Sequence, residues 1–261
     1  MKKTLIFLLA AGLFGACKQD NKIASPASDA KSDVAAPASK PSEAHTLKVG
    51  GVLYVHAPSG LVLRKTPSKD GEKIMNLPMN GEPLTVLELP DPANRYVAER
   101  MGSFEVSGGW VKVRTNDGKE GYLFEGYLSR YLPQIEEPEA DIDSYVEAFY
   151  ARISRPKGER KPLPQKPGLV EGYRQEFEDG AVFQFEYYEG GVTHHFYLPA
   201  DKFTVQEAFV LFRPLWFWSA KTKGEYDAAT KRLTITDIEG YQHMSIEPKD
   251  GQLLLEFSSA D

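Results

Sequence analysis

A chain of 261 residues with 31 Lys and Arg against 37 Asp and Glu carries a formal net charge of −6. That balance speaks against a nucleic-acid partner, which favours a basic patch, and against polybasic attraction to anionic lipid. Hydrophobic residues make up 41% of the chain and aromatic residues 11%. Real cores are therefore within reach, and the single cysteine means that no disulfide within the chain supports them.

The chain opens with Lys2 and Lys3, then an apolar run over 5–14, then Gly15 and Ala16 before Cys17. This is the three-part layout of a secretory signal. The run is too short to span a bilayer core of about 30 Å as a lone helix. The stretch Leu13-Phe14-Gly15-Ala16-Cys17 resembles a bacterial lipobox, departing from it at Phe14, where Leu is usual. The resemblance implies a signal peptide at 1–16, cleavage before Cys17 and lipid on that thiol, an anchor made firm by several acyl chains. The lipidated cysteine would leave no free thiol. Lys18 in place of Asp points toward the outer membrane. Residues 17–47, mostly Ala, Ser, Pro, Lys and Asp, cannot bury enough surface to offset their ordering entropy. They read as a disordered tether.

Residues 48–132 read as short strands with turn punctuation. Apolar and β-branched residues fill 49–56 and 84–88. Gly109-Trp110-Val111-Lys112-Val113 alternates, turns at Asn116-Asp117-Gly118, and resumes at Gly121-Tyr122-Leu123. With Gly60-Leu61, Arg64, Pro67-Ser68, Gly81-Glu82 and Tyr127-Leu128, this resembles the bacterial SH3 domains. The departures are Val62 for the usual Asn, Tyr122 for a Trp, and a long stretch over 89–107 that reads as an extended hairpin. The resemblance implies a small half-open β-barrel that binds peptides, often of the cell wall. Tyr54, Tyr96, Trp110, Tyr122 and Tyr127 are the candidate groove residues.

The Pro- and Glu-rich stretch 133–139 is a plausible boundary, after which 139–261 forms a second domain. Ile142, Tyr145, Val146, Phe149 and Ile153 fall at helical spacing. Prolines and glycines make 154–168 a loop. Strands are expected over 170–178, 181–188 and 192–198, with Asp179-Gly180 as a hairpin turn. A second helix begins after Thr204, where Thr204-x-x-Glu207 is a capping box and Pro214 kinks or ends the helix. Strands near 224–227, 232–238, 241–247 and 252–258 follow.

The halves of this domain look alike. Glu147-Ala148-Phe149 matches Glu207-Ala208-Phe209, Gly180 matches Gly240 and Gly191 matches Gly251, each pair 60 residues apart. An α-β-β-β duplication is one account of this spacing. It would resemble two-repeat periplasmic inhibitor and adaptor proteins in fold alone, which does not establish function. The expected fold is mainly β with α+β: a small SH3-like β-barrel, then an antiparallel sheet with two helices.

No catalytic constellation stands out. A cysteine peptidase needs a Cys-His pair, and the lipidated cysteine would be unavailable. Zinc sites need three protein ligands. His194 and His195 are neighbours on a strand and point to opposite faces, so His243 could join only one of them. Glu176, Glu178, Asp179 and Glu186 are clustered as a glycosidase would need, but on a net-acidic chain they read as a solvated face. No serine elbow, phosphate loop or dinucleotide fingerprint appears, and no metal or cofactor is expected. Trp216-Phe217-Trp218 cannot all be buried in one direction, which marks a candidate protein-binding edge.

The expected function is an envelope lipoprotein that binds cell-wall peptide or an envelope protein and is not an enzyme. The alternatives are a wall hydrolase with an unfamiliar carboxylate site and a structural spacer between membrane and wall.

Overall fold

The computed structural model describes residues 47–135, 142–217 and 221–260, all within one compact unit, Pro41–Asp261. The signal, Cys17, the tether and Trp218 lie outside the described residues. No described helix is long and apolar enough to cross a membrane.

The first half holds β1 (Val52–Val55), β2 (Leu61–Arg64), β3 (Lys73–Leu77), β4 (Leu84–Glu88), β5 (Tyr96–Met101), β6 (Phe104–Gly108), β7 (Trp110–Arg114), β8 (Glu120–Phe124) and β9 (Leu128–Ser129). Seven of them form one antiparallel sheet in the order β3-β2-β8-β7-β4-β1-β9, and β5 pairs only with β6 as a separate hairpin. Alternation puts Leu53, Val55, Leu63, Val86, Val111, Val113 and Leu123 into one apolar core, the arrangement of a small barrel. Two glycines of the sequence pattern have steric causes. Gly60 has φ +75°, and a Cβ there would meet the Leu77 carbonyl oxygen at 2.6 Å. At Gly121 a Cβ would lie 2.7 Å from the Arg64 carbonyl oxygen, where β2 and β8 approach closely.

The second half holds α1 (Ile142–Ala151), β10 (Pro156–Pro162), β11 (Leu169–Phe177), β12 (Val182–Tyr188), β13 (Gly191–Pro199), α2 (Val205–Trp216), β14 (Thr222–Asp227), β15 (Arg232–Asp237), β16 (Gln242–Lys249) and β17 (Gln252–Ala260). The eight strands form one antiparallel sheet in the order β10-β11-β12-β13-β17-β16-β15-β14. The fold is mainly β with an α+β part.

Two expectations need correction. Residues 156–162 are an edge strand, not a loop. Every residue of β10 is exposed, so no apolar alternation marked it, and its prolines sit at the strand ends, where a missing N–H is tolerated. The repeating unit is consequently α-β-β-β-β. The sheet order is palindromic: each unit contributes four consecutive strands, and the units pair through their last strands, β13 with β17. Gly180 and Gly240 hold equivalent turns with φ +89° and +84°.

Both helices pack on one sheet face. Phe149 and Tyr150 of α1 meet Phe212 of α2 at ring-centroid distances of 5.8 and 6.4 Å, above Phe177, Phe196 and Phe257. Thr204 caps α2, its side chain accepting from the Glu207 N–H at 3.1 Å. Pro214 does not end α2. It sits in the last turn, and the helix runs on to Trp216.

Candidate functional site

The site begins with the outer face of β7 and β8. Val111 and Val113 point into the barrel, so Trp110, Lys112 and Arg114 point out, paired across strands with Phe124, Tyr122 and Glu120. On an isolated module the Trp110–Phe124 pair would be an exposed aromatic patch. Here the β5–β6 hairpin covers it. Tyr96 lies 6.2 Å from Trp110 and 5.4 Å from Phe124, ring centroid to centroid. Phe124 also meets Trp110 at 6.2 Å and Tyr127 at 6.0 Å.

The hairpin's far side joins the second half. Phe104 packs 5.8 Å from both Phe209 of α2 and Tyr226 of β14. The Gln206 amide bonds the Ser107 backbone twice, donating to its carbonyl at 2.9 Å and accepting from its N–H at 3.2 Å. One apolar core therefore runs from Trp110 and Phe124 through Phe104 into the helices.

Of the predicted groove residues, the structure brings together Tyr96, Trp110 and Tyr127, and adds Phe124, which alternation from Tyr122 places on the same face. Trp110 is only 6% exposed. Tyr122 is half-buried against the edge of the same apolar core, and its hydroxyl lies 3.5 Å from Glu88, which also accepts from Lys112 at 2.6 Å. Tyr54, outward on β1 opposite Ser129, makes no ring contact with the cluster among the described residues.

Beside the aromatic cluster lies a polar junction. Arg213 of α2 donates to both Glu99 carboxylate oxygens at 3.0 Å and to the Thr222 hydroxyl at 3.0 Å. The Tyr127 hydroxyl donates to the same carboxylate at 2.7 Å. Burial and that bond raise the tyrosine's pKa. A cavity of about 400 Å³ opens next to the junction, between the loop 56–61 of the barrel and Phe209, Arg213, Pro214 and Phe217. His56 at its wall donates Nε2–H to the Tyr131 carbonyl at 2.8 Å. Burial lowers its pKa to about 4, so the imidazole is neutral at pH 7. A second cavity of about 870 Å³ lies at the other end of α2, between Gln206, Glu207 and Val210 and the barrel's β1 and β9.

Of the predicted aromatic edge, Trp216 and Phe217 are buried, and Trp218 lies outside the described residues. Trp216 is 3% and Phe217 5% exposed. Trp216 packs on Phe257 at 4.9 Å and His194 at 5.4 Å. The helix end is sandwiched between sheet and barrel, so it buries rings in two directions. Sequence reasoning missed Glu99, Arg213 and His56 as site residues. Their partners lie far along the chain, and nothing local marks them.

The remaining chemistry is engaged elsewhere. His194 is stacked inside the core between Phe183 and Phe185, whereas His195 faces Glu256 on the opposite sheet surface, 3.9 Å away. Glu186 accepts from Lys166, Gln184 and Tyr188. Burial pushes its pKa up, yet those bonds together hold it below the usual value. Asp179 accepts from the Tyr150 hydroxyl at 2.8 Å, and Glu176 lies 3.6 Å from Lys161. Among the described residues, no group of three His, Cys, Asp or Glu is placed to hold a metal.

A small antiparallel sheet with its own core, a Gly-bearing hairpin between β7 and β8 and a terminal 3-10 turn at Glu125–Tyr127 defines an SH3-like module. Residues 59–129 match the family described as Bacterial SH3 domain, and the chain contains that domain. No curated protein and no solved structure matches the chain.

Proposed function

We propose that the protein is a lipid-anchored binding protein of the bacterial cell envelope, not an enzyme, whose SH3 module and second domain act as one head that takes a cell-wall peptide in the cleft along α2. The anchor would be lipid on Cys17, with the outer membrane as its site and residues 18–47 as the tether. The SH3 module supports the binding role. The observation that carries the reading is the cavity of about 400 Å³ between the loop 56–61 and α2. Aromatic and aliphatic walls with one polar junction suit recognition of a small ligand or peptide segment. Of the groove residues expected from sequence, Tyr96 and Trp110 pack against each other and against Phe124.

The test is sedimentation of full-length protein in detergent with insoluble peptidoglycan. Ser59, exposed at the cavity wall, is replaced by Trp to plug the cleft without removing a buried contact. The expected outcome is co-sedimentation of the wild type and its loss in a folded Ser59→Trp protein. Wild-type protein that stays in the supernatant overturns the wall-binding reading. Undiminished sedimentation of Ser59→Trp overturns the cleft.

A further inference from the structure

We propose that Asn80 is a site of covalent self-modification, where the chain converts its own asparagine into aspartate and isoaspartate through a cyclic imide, whatever the cleft binds. Such a ring closes only if the backbone nitrogen of the next residue reaches the side-chain amide carbon. Among the four described asparagines, Asn80 alone is followed by glycine. Gly81 presents no side chain to hinder the approach. Asn76 lies within β3 and precedes Leu77, which is buried. The Asn94 side-chain amide donates to the Pro67 carbonyl at 2.8 Å, and the next residue is Arg95. Asn116 precedes Asp117.

Three features of the loop between β3 and β4 favour the reaction at that position. Asn80 is exposed, so water and hydroxide reach it. Its Oδ1 accepts from the Glu82 N–H at 3.0 Å. That donor polarises the amide carbonyl, and it stabilises the negative charge that develops on the oxygen as the carbon is attacked. Because an N–H must face an oxygen, Nδ2 is left free to depart. The ring closed by this bond contains the Gly81 nitrogen, so nucleophile and electrophile share one tight turn. The third feature is that the Gly81 N–H meets no acceptor among the described residues, so removing its proton breaks no hydrogen bond.

The reaction balances with water alone. Hydroxide takes the Gly81 amide proton, the nitrogen attacks the Asn80 Cγ, and the Cγ–Nδ2 bond breaks. The departing ammonia takes its proton from water, which regenerates hydroxide. Water then adds across either C–N bond of the imide. One product is aspartate. The other is isoaspartate, with the main chain carried through the former side chain and one methylene longer. Either makes the chain one charge more negative than −6, in a loop whose Gly81 lies against Leu132 and Ile135.

The experiment is incubation of full-length protein in detergent at pH 6 and pH 8, folded and in urea, followed by peptide mass mapping and by isoaspartyl methyltransferase labelling of the peptide that holds position 80. The expected result is a gain of about 1 Da at Asn80 with methylation of the same peptide. The attacking nitrogen must first lose its proton, so conversion should run about tenfold or more faster at pH 8 than at pH 6. It should be at least as fast in the folded protein as in urea. Asn80→Gln lengthens the side chain, so a larger ring would have to close, and the mass gain and methylation of that peptide should vanish. A rate independent of pH, or a mass gain that appears first at Asn76, Asn94 or Asn116, overturns the assignment. So does slower conversion in the folded protein than in urea, because the fold would then shield Asn80 rather than favour its reaction.

Discussion

Trp110→Ala separates a groove residue from a seam residue. A groove tryptophan lost to alanine leaves stability nearly unchanged and removes binding. A seam tryptophan takes stability with it. Trp110 is 6% exposed and meets Tyr96 and Phe124, each at 6.2 Å. Truncating such a ring costs about 3–5 kcal/mol, of which each aromatic pair accounts for about 0.5–1.5 kcal/mol. Because one core runs from Trp110 through Phe104 to Phe209, the loss should lower a single transition of the whole head. Tyr122→Ala is the comparison: its ring is half-buried at the edge of that core with its hydroxyl near Glu88, and its loss should cost less than that of Trp110, about 1–2 kcal/mol. Urea unfolding followed by far-UV circular dichroism reads both. The reasoning is refuted if Trp110→Ala unfolds within 1 kcal/mol of wild type, or if unfolding splits into two steps of which only the first moves.

Two further perturbations probe the seam. His56 has a folded pKa of about 4 against 6.5 unfolded, so the fold favours the neutral ring. Its contribution is fully present above pH 6.5 and is lost as pH falls toward 4, by about 3 kcal/mol at 1.36 kcal/mol per unit. Wild type should therefore lose that much relative to His56→Gln between pH 7 and pH 4, and parallel pH profiles of their urea midpoints would count against it. A Cβ at Gly224 of β14 would collide with the Met101 side chain of the hairpin, so Gly224→Ala should cost about 1–3 kcal/mol. Adding Met101→Ala should restore part of that stability, and strictly additive losses in the double mutant would show that the two positions do not touch.

How much of this was legible in the sequence depends on the range of the interaction. Hairpins with a glycine turn, such as Asp179-Gly180, and a helix with a side-chain cap, such as Thr204 over Glu207, announce themselves within a few residues. So does the SH3 module, whose glycines answer to close backbone approaches at Gly60 and Gly121. β10 was silent because an edge strand exposed along its whole length needs no apolar face. The seam was silent for another reason: Ser107 and Gln206 are bonded across 99 positions, as Glu99 and Arg213 are across 114. The stretch 89–107 could be read as an extended hairpin, but nothing in it names Phe209 and Tyr226 as its neighbours.

The burial of Trp216 and Phe217 follows from the same fact. A helix apolar on much of its circumference is buried on more than one side, and α2 has two partners, the sheet beneath and the barrel beside it. Its twin α1 begins an equivalent α-β-β-β-β unit, but among the described residues none of α1 lines either cavity. The palindromic sheet would make the two helices interchangeable, and the SH3 module breaks that equivalence by docking on one of them. The hairpin inserted between β4 and β7 makes that docking stable, since it converts an exposed aromatic strand face into shared core. Having filled that face, it leaves the α2 side of the barrel as the concave surface where a ligand can meet both halves at once. Binding there would depend on residues from both halves, so neither the SH3 module nor the second domain should bind alone.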